Sequence, residues 1–127
     1  MSTTSHIPLE DAGPTINDVM LREPETVGPA FALDEARRLL SARKKLLLVA
    51  DGEQFLGTVT AAELPAGDGP IGPHVRADTP RLSPDDPTAR ALELLETEGM
   101  SRIPVVDGAD RLLGLVCFNT SHEAFCI

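Results

Sequence analysis

Apolar residues in the first half of the chain follow the spacing of a helix and then that of a buried strand. Between Leu33 and Leu40 they recur at intervals of three and four, which predicts an amphipathic helix. The apolar run LLLVA that follows is typical of a strand covered on both faces of a sheet. Asp51 and Gly52 then favour a tight turn into a second strand, FLGTVT. A helix followed by a β-hairpin is therefore predicted.

The second half of the chain shows the same order of elements. Asp86 can cap a helix, Pro87 suits its first turn, and Gly99 favours its end. The apolar strand RIPVV comes next, and the turn dipeptide Asp107–Gly108 leads into a further strand, LLGLVC. A second helix and hairpin are predicted here.

The two halves are a duplication, and this is the most informative feature of the chain. Each contains a short extended stretch, a helix, a strand, a tight turn and another strand, at an offset of 55 to 57 residues. The matched pairs are Pro24 with Pro80, Pro29 with Pro84, Ala36 with Ala91, Val49 with Val105, Asp51 with Asp107, and Gly57 with Gly114.

Four marks stand in order along the chain: DVM with a proline four residues on, a helix containing DEA, the strand and turn RIPVVD, and GTVTAAEL or GLVC after a hairpin turn. Together they resemble a tandem pair of cystathionine-β-synthase (CBS) repeats, a Bateman-type module, over Thr15 to Thr120. The resemblance implies an α/β (α+β) fold of two β-α-β-β-α repeats packed with pseudo-two-fold symmetry. It also implies clefts between the repeats that often hold adenosine-containing ligands, and pairing of two modules into a flat dimer.

The composition divides the chain into five segments. Residues 1–14 are predicted to be a flexible N-terminal segment, 15–64 the first repeat and 74–120 the second. The stretch PAGDGPIGP, residues 65–73, cannot continue a helix or a central strand and is predicted to be a linker. Residues 121–127 form a C-terminal tail. The second helices typical of the family are expected to be cut short, by Pro65 and by the chain end.

The resemblance implies a ribose contact in the pattern G-h-h-T-x-x-D, where h is apolar. The first repeat has Thr60 followed by Glu63, so the hydroxyl is kept and the carboxylate is one methylene longer. The second repeat has Cys117 in place of the hydroxyl and lacks the carboxylate, so it is expected to bind ribose poorly. The alternative reading of Thr60 and Glu63 is a strand end and a solvated acid of a short helix.

Basic side chains offer candidates for phosphate contacts. Arg43, Lys44 and Lys45 form the one basic run of an acidic chain, and Arg102 stands at the corresponding point of the second repeat. These residues could meet phosphates in the cleft. The alternative is that they form a solvated face, as most charge runs do.

The charge balance narrows the class of partner. With 20 acidic and 11 basic residues the net charge is −9, which opposes binding to nucleic acid or anionic lipid. It also favours AMP or the cationic S-adenosylmethionine over ATP as ligand. The N-terminal sequence has no signal-peptide pattern, and no segment reaches the length of a membrane span, so a cytoplasmic protein is predicted.

The tail leaves a metal and an enzyme hypothesis open. A zinc site could be formed by Cys117, His122 and Cys126 together with His74, because thiols and imidazoles are zinc ligands. Against it, Cys117 falls where a buried strand residue belongs. We therefore favour reduced structural thiols that form no disulfide. No orienting group, glycine-rich phosphate loop or paired carboxylates accompany a nucleophile, so no enzyme activity is predicted.

Two functions remain in competition. One is a regulatory module that senses an adenosine-containing ligand and acts on a partner protein that the sequence does not name. The other is a ligand-free dimerisation or protein-interaction module that kept the fold and lost nucleotide binding. A homodimer is predicted in either case. A single CBS pair of this size would otherwise expose the apolar helix faces that members of the family bury against a second module.

Overall fold

The computed structural model describes residues 6–8, 13–42, 46–118 and 124–126. Its helices are α1, Leu33–Ala42, and α2, Thr88–Glu98. Short 3-10 helices span Ile16–Asp18, Ala61–Glu63 and Gly72–His74. The strands are β1, His6–Pro8; β2, Leu21–Arg22; β3, Leu47–Asp51; β4, Gln54–Val59; β5, Arg102–Val106; β6, Leu112–Cys117; and β7, Ala124–Cys126. This mixture of helices and strands confirms the predicted fold class.

Both predicted hairpins form. β3 pairs with β4 and β5 with β6, each antiparallel. In each hairpin the register shifts at the same point, between Val49 and Ala50 and between Val105 and Val106. The helix that precedes each hairpin is also confirmed. α2 ends at Glu98, and its C-cap Gly99 adopts the left-handed conformation with φ +67°. The duplication read from the sequence is therefore a duplication of structure.

The described residues form two compact units whose boundaries fall at the matched prolines. Unit 1 contains the residues up to Pro24 and those from Pro80 onward, and unit 2 is Glu25–Thr79. The chain therefore passes from one unit to the other twice, at equivalent points of the two repeats. As a result, the leading segment of each repeat packs with the helix and hairpin of the other repeat.

The exchange is visible in the strand pairing inside each unit. In unit 1, β2 pairs antiparallel with β6, so that Leu21 lies opposite Leu115. In unit 2, Arg76 forms the corresponding antiparallel bridge to Thr58 of β4. Ile16 and Ile71, at equivalent positions ahead of these bridges, are both fully buried. Residues from 65 to 73, predicted as a linker, thus contribute Ile71 to the core of unit 2.

Each unit has its own apolar core, made mainly from aliphatic side chains. In unit 1, residues of α2, β5 and β6 pack on the leading segment and on Phe125 of β7. In unit 2, residues of α1, β3 and β4 pack on Ile71. The fully buried side chains of the hairpins and leading segments include Ile16, Ile71, Val49, Val59, Ile103, Val105 and Val116.

Gly57 and Gly114 mark the place where the exchanged segment crosses each hairpin. A Cβ atom built on Gly114 would lie 2.5 Å from the carbonyl oxygen of Leu21. A Cβ atom on Gly57 would overlap the carbonyl oxygen of Arg76, and Gly57 also has φ +145°. The matched glycines of the repeats therefore exist because another backbone passes directly over them.

The segments after the hairpins differ between the repeats. Behind β4 the family's second helix is reduced to the single 3-10 turn Ala61–Glu63. Behind β6 no helix follows within the described residues; instead β7 pairs antiparallel with β1. Phe125 of β7 packs on Phe118, with ring centroids 4.8 Å apart. The shortening of these helices predicted from the sequence is confirmed for the first repeat.

Asp107 organises the turn between β5 and β6. Its carboxylate accepts hydrogen bonds from the backbone N–H groups of Arg111 and Ala109, both at 2.9 Å, and from Nε of Arg111 at 2.7 Å. The backbone N–H of Arg111 is the main cause that holds the pKa of Asp107 below its ordinary value of 3.8, although desolvation opposes it. The carboxylate thus remains ionised and fixes the hairpin turn.

Candidate functional site

The two residues of the predicted ribose contact are brought together at the end of β4. Thr60 is extended, with φ −116° and ψ 169°, and it caps the 3-10 turn that ends at Glu63. The Glu63 carboxylate accepts a hydrogen bond from the Thr60 backbone N–H at 3.1 Å and another from the Thr60 hydroxyl. Both side chains are half-buried. The arrangement is a capping box, which the Thr-x-x-Glu sequence itself favours.

This geometry leaves the carboxylate able to accept further donors. Both bonds from Thr60 go to the Oε2 atom of Glu63. An ionised carboxylate offers about four lone-pair sites on its two oxygens, so Oε1 can accept additional hydrogen bonds. A vicinal diol presents two O–H donors at short separation, which matches such an acceptor. The internal bonds of the Thr60–Glu63 pair therefore hold a carboxylate whose Oε1 atom can accept donors from outside the pair.

The equivalent position of the second repeat is apolar. Cys117 ends β6 and is buried, and its thiol donates a hydrogen bond to the Phe118 carbonyl oxygen at 3.5 Å. Phe118 is buried in the core of unit 1, whereas its counterpart Ala61 is exposed. Thr120, the counterpart of Glu63, lies outside the described residues. The side chains described here thus fill the core instead of facing a polar ligand.

The phosphate role predicted for Arg102 and for the basic run at residues 43–45 stays a prediction. Arg102 begins β5 in unit 1, is half-buried, and places Nη1 3.5 Å from the Ser101 hydroxyl. Thr60 and Glu63 belong to unit 2. Arg43, Lys44 and Lys45 lie outside the described residues, so their predicted phosphate role stays a prediction.

The zinc hypothesis falls largely outside the described part of the chain. His74 ends the 3-10 turn Gly72–His74 of unit 2, and Cys117 lies in unit 1. His122 and the side chain of Cys126 are outside the described residues. Among the residues that the structure does describe, no three His, Cys, Asp or Glu side chains are grouped so that they could hold a metal ion.

Sequence reasoning missed a buried pair of hydroxyl groups beside this site. Thr58 and Thr79 are 3% and 2% exposed, and their hydroxyl oxygens lie 2.6 Å apart. The sequence carries one signal for Thr58: it is a polar residue at a position that is apolar in the G-h-h-T-x-x-D pattern. Nothing local predicts its partner, which is 21 residues further along the chain.

None of the helices described here has both the length and the apolar character that a membrane crossing needs.

Comparison with known proteins identifies the family. The family model described as CBS domain matches twice, at residues 16–64 and 74–118. These two matches coincide with the two sequence repeats and together cover well over half of the chain.

Solved structures share the fold. CBSX2 in complex with AMP is 22% identical, with a TM-score of 0.73, over 87% of this chain and 93% of that one. A CBS domain pair in complex with 5′-methylthioadenosine and S-adenosyl-L-methionine is 18% identical, with a TM-score of 0.64, over 81% and 88%. The cytosolic domain of the Mg²⁺ channel MgtE in complex with ATP is 18% identical, with a TM-score of 0.70, over 82% and 46%.

A curated relative is much longer than this chain. A homoserine O-acetyltransferase of Methanohalobium evestigatum is 24% identical over 107 residues, which is 80% of this chain and 22% of that enzyme. The likeness thus concerns a segment of that protein and carries no acetyltransferase activity to this one. The duplicated helix-hairpin units, their exchanged leading segments and the two family matches agree, and the chain belongs to the CBS domain family as a tandem pair.

Proposed function

We propose that this CBS pair is a regulatory module that binds an adenosine-containing ligand, with the ribose diol held by Thr60 and Glu63, and that it is not an enzyme. The observation that carries the proposal is the carboxylate of Glu63, fixed by Thr60 with one oxygen left to accept hydroxyl donors. Similar structures crystallised with AMP and with S-adenosyl-L-methionine support this ligand class. The regulated partner is a protein whose activity responds to ligand binding.

The charge of the chain ranks the candidate ligands. A net charge of −9 repels polyphosphates unless basic side chains line the site. AMP carries less negative charge than ATP, and S-adenosylmethionine carries a sulfonium cation. We therefore propose AMP or S-adenosylmethionine as the ligand, with ATP bound more weakly.

Thermal unfolding tests the proposal directly. The unfolding midpoint should rise by several degrees with AMP or S-adenosylmethionine, because ligand at 100 times its dissociation constant stabilises the folded state by about 2.7 kcal/mol. The matched control is 2′,3′-dideoxyadenosine monophosphate, which keeps the base and phosphate and lacks the diol. An equal shift with this control would contradict the role of Glu63.

A ligand-free interaction module remains the second candidate function, and one observation favours it. Glu63 already accepts two hydrogen bonds from Thr60, so the pair is satisfied without a ligand. Under this alternative, AMP, ADP, ATP and S-adenosylmethionine would all leave the midpoint unchanged.

We also propose that the partner in solution includes a second copy of the chain. Each unit exposes apolar helix surface to solvent, because several leucines of its helix are only half-buried. These are Leu39 and Leu40 in α1 and Leu92 and Leu95 in α2. Light scattering at micromolar concentration should give about twice the chain mass of 13.5 kDa. A mass of 13.5 kDa would remove the dimer from the proposal.

A further inference from the structure

Unit 2 buries two hydroxyl groups at the point where its last segment crosses β4. Thr58 and Thr79 are almost fully buried, and their hydroxyl oxygens lie 2.6 Å apart. The Thr79 hydroxyl also donates a hydrogen bond to the carbonyl oxygen of Arg76 at 2.7 Å. A buried hydroxyl is costly unless it is bonded, and here each is bonded to the other. The pair therefore links the segment 76–79 to β4 through side chains.

The link lies next to the proposed ligand contact. Thr58 precedes Thr60 by two residues in extended backbone, so both side chains leave the chain on the same face. The backbone adds two further bonds, from the Arg76 N–H to the Thr58 carbonyl at 2.8 Å and from the Thr58 N–H to the Arg76 carbonyl at 3.3 Å. The residue after Thr79 is Pro80, where the chain leaves unit 2. The exit of the chain is thus tied to the strand that ends at Thr60.

Unit 1 contains the equivalent crossing without this hydroxyl pair. The counterpart of Thr58 is Leu115, and the counterpart of Thr79 is Glu23, which is exposed and has φ +53°. Leu21 and Arg22 nevertheless pair with β6. A hydroxyl pair is therefore not needed to form the crossing. Because the pair occurs in the unit that contains Thr60 and not at the equivalent crossing of unit 1, we look for its role at the Thr60–Glu63 site.

We propose that the Thr58–Thr79 hydroxyl pair is a positioning element of the Thr60–Glu63 site, holding the exit segment of unit 2 on β4 so that the strand end keeps its ligand-binding geometry. The part of this inference that concerns ligand binding rests on the proposed function. Ligand binding at Thr60 and Glu63 would then be coupled to the position of residues 76–79, the segment through which the chain leaves unit 2.

Valine substitutions remove each hydroxyl with little change of shape. The fold should survive Thr79→Val, because the Arg76 carbonyl still accepts from the N–H groups of Thr58 and Thr79. Thr58→Val leaves the bond from Thr79 to Arg76 in place. The matched control is Thr97→Val, which removes an exposed hydroxyl that donates to the Glu93 carbonyl in α2. Thr58→Ser keeps the hydroxyl and serves as the rescue variant.

Two measurements on the full chain test the proposal: calorimetric titration with AMP, and hydrogen exchange of the Thr60 and Glu63 amides. Thr58→Val and Thr79→Val should weaken AMP binding about fivefold to tenfold at unchanged stoichiometry, the effect of one lost neutral hydrogen bond. Both amides, which donate to the Glu63 carboxylate and the Thr60 carbonyl, should exchange faster by a similar factor. Thr58→Ser and Thr97→Val should match wild type in both measurements.

The outcomes separate this inference from the proposed function. If wild type binds no AMP but the valine variants speed exchange selectively at Thr60 and Glu63, the positioning role stands and the ligand assignment fails. If wild type binds AMP and the valine variants bind it equally with unchanged exchange, the positioning role is overturned. Uniformly faster exchange throughout β3 and β4 would also overturn it, because the pair would then only stabilise the fold.

Discussion

Gly57→Ala is expected to lower the free energy of unfolding by about 3 kcal/mol or more, from overpacking combined with backbone strain. The new methyl group would overlap the Arg76 carbonyl oxygen, and the residue would keep a φ of +145° that alanine rarely adopts. Neither backbone can move freely, because Arg76 and Thr58 are joined by two hydrogen bonds. Chemical denaturation followed by circular dichroism would measure the loss.

The repeat supplies a second case and two controls. Gly114→Ala should lower the free energy of unfolding by about 1 to 3 kcal/mol, because its Cβ would lie 2.5 Å from the Leu21 carbonyl oxygen. Gly114 does not have a positive φ, so backbone strain adds nothing there. Gly108→Ala meets no atom within 4 Å and should be near neutral. Gly52 has φ +62° and no atom within 4 Å of a Cβ, so Gly52→Ala measures the backbone strain without any steric overlap. It should lower the free energy of unfolding by about 1 to 2 kcal/mol. Equal stability of the Gly57 and Gly108 variants would contradict the proposed crossing.

Glu63→Gln and Thr60→Val are expected to weaken binding of an adenosine-containing ligand by at least about tenfold. A hydrogen bond to a charged acceptor is worth roughly 1.5 to 3 kcal/mol, which is one to two decades of affinity. Wild type should bind one ligand per chain, because the second repeat has Cys117 and not a hydroxyl at the equivalent position. Calorimetric titration gives both the affinity and the stoichiometry.

The chain offers a matched control for these variants in unit 1. Thr15 and Asp18 form a similar capping box, in which the Asp18 carboxylate accepts from the Thr15 N–H and hydroxyl, both at 3.1 Å. Asp18→Asn and Thr15→Val therefore make the same chemical changes at a cap outside the proposed site. They should leave ligand affinity unchanged. Two equivalent sites per chain, or binding indifferent to Thr60 and Glu63, would refute the assignment.

Much of the local structure follows from the sequence because it depends on neighbours along the chain. Apolar spacing predicts α1 and α2, and the dipeptides Asp51–Gly52 and Asp107–Gly108 predict the two turns. The contact between Thr60 and Glu63 is also local, since a Thr-x-x-Glu sequence favours a capping box three residues long. The duplication and the family followed from the same local marks, repeated in order.

The pairing of segments across the two units was decided only by the tertiary structure. A two-residue strand such as β2 carries no signal for its partner, because its pairing energy depends on which buried surface lies beside it. The exchange at Pro24 and Pro80, the backbone approach over Gly57 and Gly114, and the partner of Thr58 all arise from that long-range packing. The sequence alone determined the two helices, the two hairpins and their duplication. Three-dimensional packing determined which repeat each leading segment completes and that β1 and β7 pair as strands where the sequence predicted a flexible segment and a tail.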